Sequence, residues 1–170
     1  MAATNPKQSQ TPWLLLGLAA GLLVLRVVFP ESSVPLETEK GPEIPEKVQW
    51  LTPEQVPSDP PKPLLYDFTA AWCMPCQRQA KEVFANEAAA AFINENFVPV
   101  KVRDEQRKQA AVSELFRRFQ VEAFPTLVIA DKDGKILAVQ RGYMGKRKTE
   151  AFLKKALEKA ANNPASSEQK

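Results

Sequence analysis

The sequence predicts an α/β domain with a mixed central β-sheet flanked by helices. Three observations carry this reading: short apolar, β-rich runs from residue 64 onward, a helical pattern between the first two, and a strong turn signal between the last two. The runs are Leu64–Thr69, Phe97–Val102, Thr126–Ala130 and Lys135–Arg141, and Asp131-Lys132-Asp133-Gly134 joins the last pair as a hairpin. Between the first two, Ala80, Val83, Phe84, Ala88, Ala91 and Phe92 recur at helical spacing and predict one apolar helix face. A second helix is expected over Asp104–Phe119, burying Ala111, Leu115 and Phe119. A third is expected from Thr149, read as its N-cap, burying Phe152, Ala156 and Leu157. The order β-α-β-α-β-β-α implies one parallel crossover and one antiparallel hairpin, hence a mixed sheet.

The preceding residues read differently. Trp13–Leu25 is thirteen residues without a charge, and the apolar run resumes after Arg26 through Phe29. At about 1.5 Å per residue this reaches roughly 25 Å as a helix, close to a ~30 Å hydrocarbon core, with Arg26 near the end where its stem can snorkel. Residues 1–30 are therefore read as a cytoplasmic tail and single-pass transmembrane anchor, with a cleaved signal segment as the rival. Lys7 precedes the run and Glu31, Glu37 and Glu39 follow it, so the positive-inside bias sends the remainder across the membrane. The expected location is the inner membrane, with the main domain on the periplasmic or extracytoplasmic side. Residues 31–63 hold eight of the fifteen prolines, with seven acidic residues against three basic ones. They are expected to be an extended acidic linker, with an edge strand at Val48, Trp50 and Leu51. The domain is placed at 64–160 and a disordered tail at 161–170.

Composition removes whole classes of chemistry. The chain of 170 residues has no histidine, which excludes His-based triads and imidazole metal sites. A formal charge of +3 demands no nucleic-acid partner, and two cysteines exclude a disulfide-rich scaffold. Those two cysteines stand in Trp72-Cys73-Met74-Pro75-Cys76, where the first strand gives way to a helix. Two thiols three apart at a helix start can close a small disulfide ring, and the unpaired N–H groups there favour a thiolate on the first. Pro75 fits a first helical turn because no helical hydrogen bond is lost. Gln77 stands where a haem attachment site needs histidine. A zinc or copper carrier using the two thiolates, and a static structural disulfide, stay open beside a redox pair.

Asp67-Phe68-Thr69-Ala70-Ala71-Trp72-Cys73-Met74-Pro75-Cys76, followed about fifty residues later by Phe124-Pro125-Thr126, resembles the thioredoxin superfamily. Within it, Cys76-Gln77 followed by Lys81-Glu82-Val83-Phe84 is similar to the periplasmic C-terminal domain of transmembrane thiol–disulfide interchange (DsbD-type) proteins. The resemblance covers roughly residues 48–159 and implies a thioredoxin fold and a thiol–disulfide oxidoreductase without a cofactor. It implies Cys73 as an exposed nucleophile, Cys76 as a more buried resolving thiol, and Asp67 as the acid that takes the Cys76 proton, with Lys101 paired to it. It implies a cis peptide before Pro125, and a shallow substrate groove lined by Trp72, Met74, Pro75, Phe124 and Gly142. Protein dithiols and disulfides are the implied substrates, with apocytochromes of cytochrome c biogenesis among them, and a membrane protein the electron donor. A reductase is the favoured direction and a disulfide donor the rival. Gln77 and Ala71 depart from the family pattern, which more often has lysine and an acid there.

Overall fold

The computed structural model describes residues 44–162 of the chain. The expectations for the membrane segment, for the linker up to residue 43 and for the tail from residue 163 lie outside the described residues. Among the described residues, no helix is long and apolar enough to cross a membrane.

Four strands form one sheet: β1 (Leu64–Thr69), β2 (Val98–Arg103), β3 (Thr126–Ala130) and β4 (Ile136–Arg141), in the order β2-β1-β3-β4. β1 runs parallel to β2 and antiparallel to β3, and β3–β4 is the antiparallel hairpin. This is the mixed sheet that the order of runs predicts. Alternation along β1 sends Leu64, Tyr66 and Phe68 to one face and Leu65 and Asp67 to the other. The first face packs on helix α3 (Ala110–Phe119) through Val112, Phe116 and Phe119. The second receives helices α1 (Met74–Gln79), α2 (Glu87–Asn96) and α4 (Lys146–Ala161), with Phe84, Ile93 and Leu153 beneath them. Asp67 is thus a buried carboxylate on an inner face that is mostly apolar, a placement that needs partners.

The long helical run expected after the cysteines is broken into three pieces. α1 passes into a π turn at Ala80–Phe84, where the Ala85 N–H reaches back to the Ala80 carbonyl at 2.8 Å. Asn86 then turns extended and caps α2 by accepting the Ala89 N–H. The wider turn and the new start reset the helical phase. Ala88 and Ala91, expected inside, face solvent and Phe92 is half-buried, while Ala89, Ala90 and Ile93 take the core positions.

Two other helices also begin where the sequence reading does not put them. Asp104–Gln106 is a short 3₁₀ turn, so α3 starts only at Ala110, and Ala111 and Leu115 flank a buried stripe of Val112, Phe116 and Phe119. α4 starts at Lys146 behind Gly145. Thr149 is not its cap but a buried residue of its first turn, donating to the Gly145 carbonyl and accepting from Gln140. Leu153 and Ala156 are its core residues, with Phe152 and Leu157 half-buried beside them, and the helix ends at Ala161.

Residues 44–63 are not a free linker. Ile44 and Trp50 pack on the core and Val48 is buried in it. Leu51 bridges β2 in parallel, donating its N–H to the Pro99 carbonyl and accepting the Lys101 N–H, both at 2.9 Å. Asn94 of α2 holds the same strap, accepting the Gln49 N–H and donating to the Lys47 carbonyl. The edge strand expected at residues 48–51 is one bridge long, and apolar residues on either side of it also pack on the domain core. Proline and charge marked the segment as extended, but it is broken by a 3₁₀ turn at Pro53–Gln55, and such a strap can still lie on an apolar sheet edge.

Candidate active site

At the end of β1 the chain turns through Ala70–Trp72 and enters α1 with Cys73 as its N-cap. Cys73 has extended backbone angles, φ −84° and ψ 100°, which point its side chain back over the first turn. Pro75 lies in that turn, where its missing N–H costs nothing. The sulfurs of Cys73 and Cys76 are joined in a disulfide, and the Cys76 N–H also points at the Cys73 sulfur, 3.2 Å away. When the pair is reduced, the same N–H stands ready to stabilise a thiolate on Cys73.

The peptide bond between Phe124 and Pro125 is cis. It lies just before β3, and Phe124 packs against Ala70, Cys73 and Cys76. The Trp72 ring meets the Phe124 ring edge-on, with centroids 5.7 Å apart. Gly142 joins through the backbone: its N–H donates to the Pro125 carbonyl at 2.7 Å, with φ at +75°, a conformation glycine adopts without strain. Trp72 and Met74 are 69% and 70% exposed, large apolar surface left in water beside a disulfide.

One expectation is corrected here. Cys73 is not the exposed member of the pair; both cysteines are buried, Cys73 at 3% exposure and Cys76 at 6%. The two are joined in the disulfide, and Phe124 packs against the cluster they form with Ala70.

Behind the pair, Asp67 is buried at 2% exposure. Burial pushes its carboxyl up to about 6, against the pull of the Lys101 ammonium, while the Glu46 carboxylate pushes the same way as burial. The strand register sets Lys101 directly opposite Asp67 on β2, and its Nζ lies 3.7 Å from Asp67 Oδ2. Lys101 is thus an inward-facing lysine of the site and not an outer strand lysine.

Three residues that the sequence reading did not single out complete the surroundings. Glu46, from the strap, accepts from Lys101 Nζ at 2.6 and 2.5 Å. Gln79, one turn beyond Cys76 and fully buried, donates its amide to Asp67 Oδ1 at 3.5 Å. Its own Oε1 is buried without a hydrogen-bond partner among the described residues. Glu105 accepts the Ala71 N–H at 2.6 Å while Gln77 donates to the Ala71 carbonyl at 2.9 Å, so both main-chain groups of the residue before Trp72 are held. Gln79 had a signal, since a polar residue at i+3 from Cys76 shares its face. Glu46 had none, because nothing in a proline-rich acidic stretch marks which acid folds back.

These residues can perform two-electron thiol–disulfide exchange: a dithiol that closes reversibly, an apolar apron for a partner, and a buried acid able to hold a proton near neutral pH. Among the described residues, no group of three or more His, Cys, Asp or Glu side chains is placed to hold a metal ion.

Comparison with known proteins gives a consistent picture. The family model described as a thioredoxin-like domain matches residues 56–157. A thioredoxin-like protein of Synechocystis is 29% identical over 83 residues, 49% of this chain and 71% of that protein. A protein disulfide-isomerase of Datisca glomerata is 32% identical over 79 residues, 46% of this chain but only 15% of the isomerase. Among solved structures, a DsbH oxidoreductase superposes with a TM-score of 0.54 at 26% identity, covering 69% of this chain and 89% of that one.

Proposed function

The chain belongs to the thioredoxin-like domain family, and on that footing we propose that it is a thiol–disulfide oxidoreductase working through Cys73 and Cys76. The observation that carries the reading is the Cys73–Cys76 disulfide at the start of α1, packed against the cis Phe124–Pro125 peptide.

The favoured direction is reduction of a substrate disulfide. The Cys73 thiolate attacks one substrate sulfur, and the substrate S–S bond breaks as a Cys73–substrate bond forms. The departing substrate sulfur takes up a proton. Cys76 then gives its proton to Asp67, and its thiolate attacks Cys73. The Cys73–Cys76 bond forms, the second substrate sulfur leaves as a thiolate, and it is protonated in turn. Two electrons pass from the dithiol to the substrate. Re-reduction requires a dithiol donor, which for a domain held outside the cytosol would be a membrane protein. Trp72, Met74 and Phe124 supply apolar contact area. Among the described residues no hydrogen bond occupies the main-chain N–H or carbonyl of Phe124, which suits pairing with an extended substrate segment.

Anchoring by residues 1–30 and residence on the extracytoplasmic face of the inner membrane belong to the same proposal. Their support is the uncharged Trp13–Leu25 run and the charge asymmetry around it. In an oxidising compartment a tethered dithiol is most useful as a reductant, of apocytochromes or of mis-paired secreted proteins. Trapping tests the chemistry: Cys76→Ser should accumulate a mixed disulfide to substrate that thiols release, while Cys73→Ser accumulates none. Equal trapping by both variants contradicts the assigned order of attack.

A further inference from the structure

Lys101 has two carboxylates to serve, and it serves them unequally. Both Glu46 oxygens lie within 2.6 Å of its Nζ, whereas Asp67 Oδ2 is 3.7 Å away. Glu46 is held where it is. The Trp50 indole N–H also donates to it, and Trp50 packs edge-on against Phe84, with ring centroids 4.9 Å apart. The ammonium sits over both rings, 4.5 Å from the Trp50 centroid and 5.5 Å from that of Phe84. The strap is pinned on either side, by the Lys47 N–H on the Phe84 carbonyl and by the Leu51 bridge to β2. All three charged side chains are sheltered, with 16% of Glu46, 10% of Lys101 and 3% of Asp67 exposed. A cavity of about 730 Å³, lined in part by Glu46, Trp50, Lys101 and Arg103, adjoins the array.

We propose that Glu46 is a positioning residue for the thiol chemistry: it claims Lys101 and keeps the ammonium from pairing fully with Asp67, so that Asp67 can take a proton and give it back. The inference rests on the oxidoreductase reading, in which Asp67 receives the Cys76 proton. An Asp67 in direct contact with Lys101 would stay ionised at neutral pH with little affinity for that proton. An Asp67 with no cation near would hold its proton more tightly and release it less readily. The strap sets the balance between these states, placing a residue 21 positions upstream of Asp67 in control of the acid. The other groups that act on Asp67 are Arg103 of β2, a weaker positive influence, and the neutral amide of Gln79 from α1.

Glu46→Gln removes the charge but keeps an oxygen for the Trp50 N–H, so the strap stays closed. The full chain in mild detergent, labelled with ¹³C at the aspartate carboxyls, reports the Asp67 midpoint directly; Asp67→Asn identifies the resonance. The midpoint is expected to fall by about one pH unit in Glu46→Gln, the size of effect an approaching cation produces. The acid limb of disulfide turnover should move down with it. An unchanged or raised midpoint overturns the proposal. In a Lys101→Gln background the Glu46→Gln shift should shrink to a fraction of its size; a shift of full size would mean that Glu46 acts on Asp67 without Lys101 and would also overturn it. Absence of turnover in the unaltered chain would instead remove the oxidoreductase reading, with the Asp67 midpoint still reporting on Glu46.

Discussion

Asp67 sits on the inner face of β1, where a leucine two residues earlier is wholly buried, and the fold bears the cost of its charge. Because burial raises its carboxyl to about 6, the folded chain binds this proton more tightly than the unfolded chain, whose carboxyl titrates near 3.9. The stability linked to that proton is therefore fully present below about pH 4 and is lost as pH rises through about 6. Asp67→Asn escapes the loss. Denaturation of the oxidised chain should find the variant more stable than the parent at pH 8, by on the order of 3 kcal/mol at most, with the gap closing near pH 4. A gap independent of pH would show that the asparagine acts through packing or hydrogen bonding and not through the proton. Position 67 was legible in the sequence through its place six residues before Cys73. Its pairing with Lys101 was implied by the family resemblance, but Glu46 and Gln79 were not read, because they come from separate segments that only the fold brings to it.

At the scale of elements, strands were easier to read than helices. β1 and β3 lie where the apolar runs put them, and β2 and β4 begin one residue later. Buried strands on both faces of a sheet announce themselves as continuous apolar runs. Helix phase depends on turns that leave a fainter mark. The π turn at Ala80–Phe84 has no composition of its own, and Asn86 as a cap was hidden within an alanine-rich stretch. The corrected phase makes a sharp prediction. Ala88→Lys and Ala91→Lys, on the solvent side of α2, should change stability by no more than about 0.5 kcal/mol. Ala90→Lys, at 1% exposure, should cost several times that or prevent folding, as a buried unpaired charge does. Chemical denaturation of the three variants checks it, and equal tolerance at all three positions would reject the phase described. The strap was read only in part: an edge strand was expected at Val48, Trp50 and Leu51, but prolines and acids give the composition of a tether, and Ile44 and Val56, which also dock it, were not singled out.

For the whole molecule, the order of elements, the mixed sheet and the meeting of the cysteine pair with Phe124 and Pro125 could be read from one chain. The first two depend on short local signals, an apolar run or a turn; the last came from the resemblance to the thioredoxin superfamily. Of the polar network behind the pair, the resemblance implied Asp67 and Lys101, while Glu46 and Gln79, which join through long-range contacts, were not read. Function follows from the pair being a reversible couple, a property of the entire domain because both redox states must share one fold. The most direct measurement is a redox titration of the full chain in glutathione buffers, read by thiol alkylation and mass. Cys73 and Cys76 should interconvert as one two-electron couple, with a tenfold change in the ratio for about 30 mV, and a potential near −270 mV places it among reductants. A potential near −120 mV would reverse the direction proposed, and cysteines that never return to a disulfide would contradict the oxidoreductase account itself.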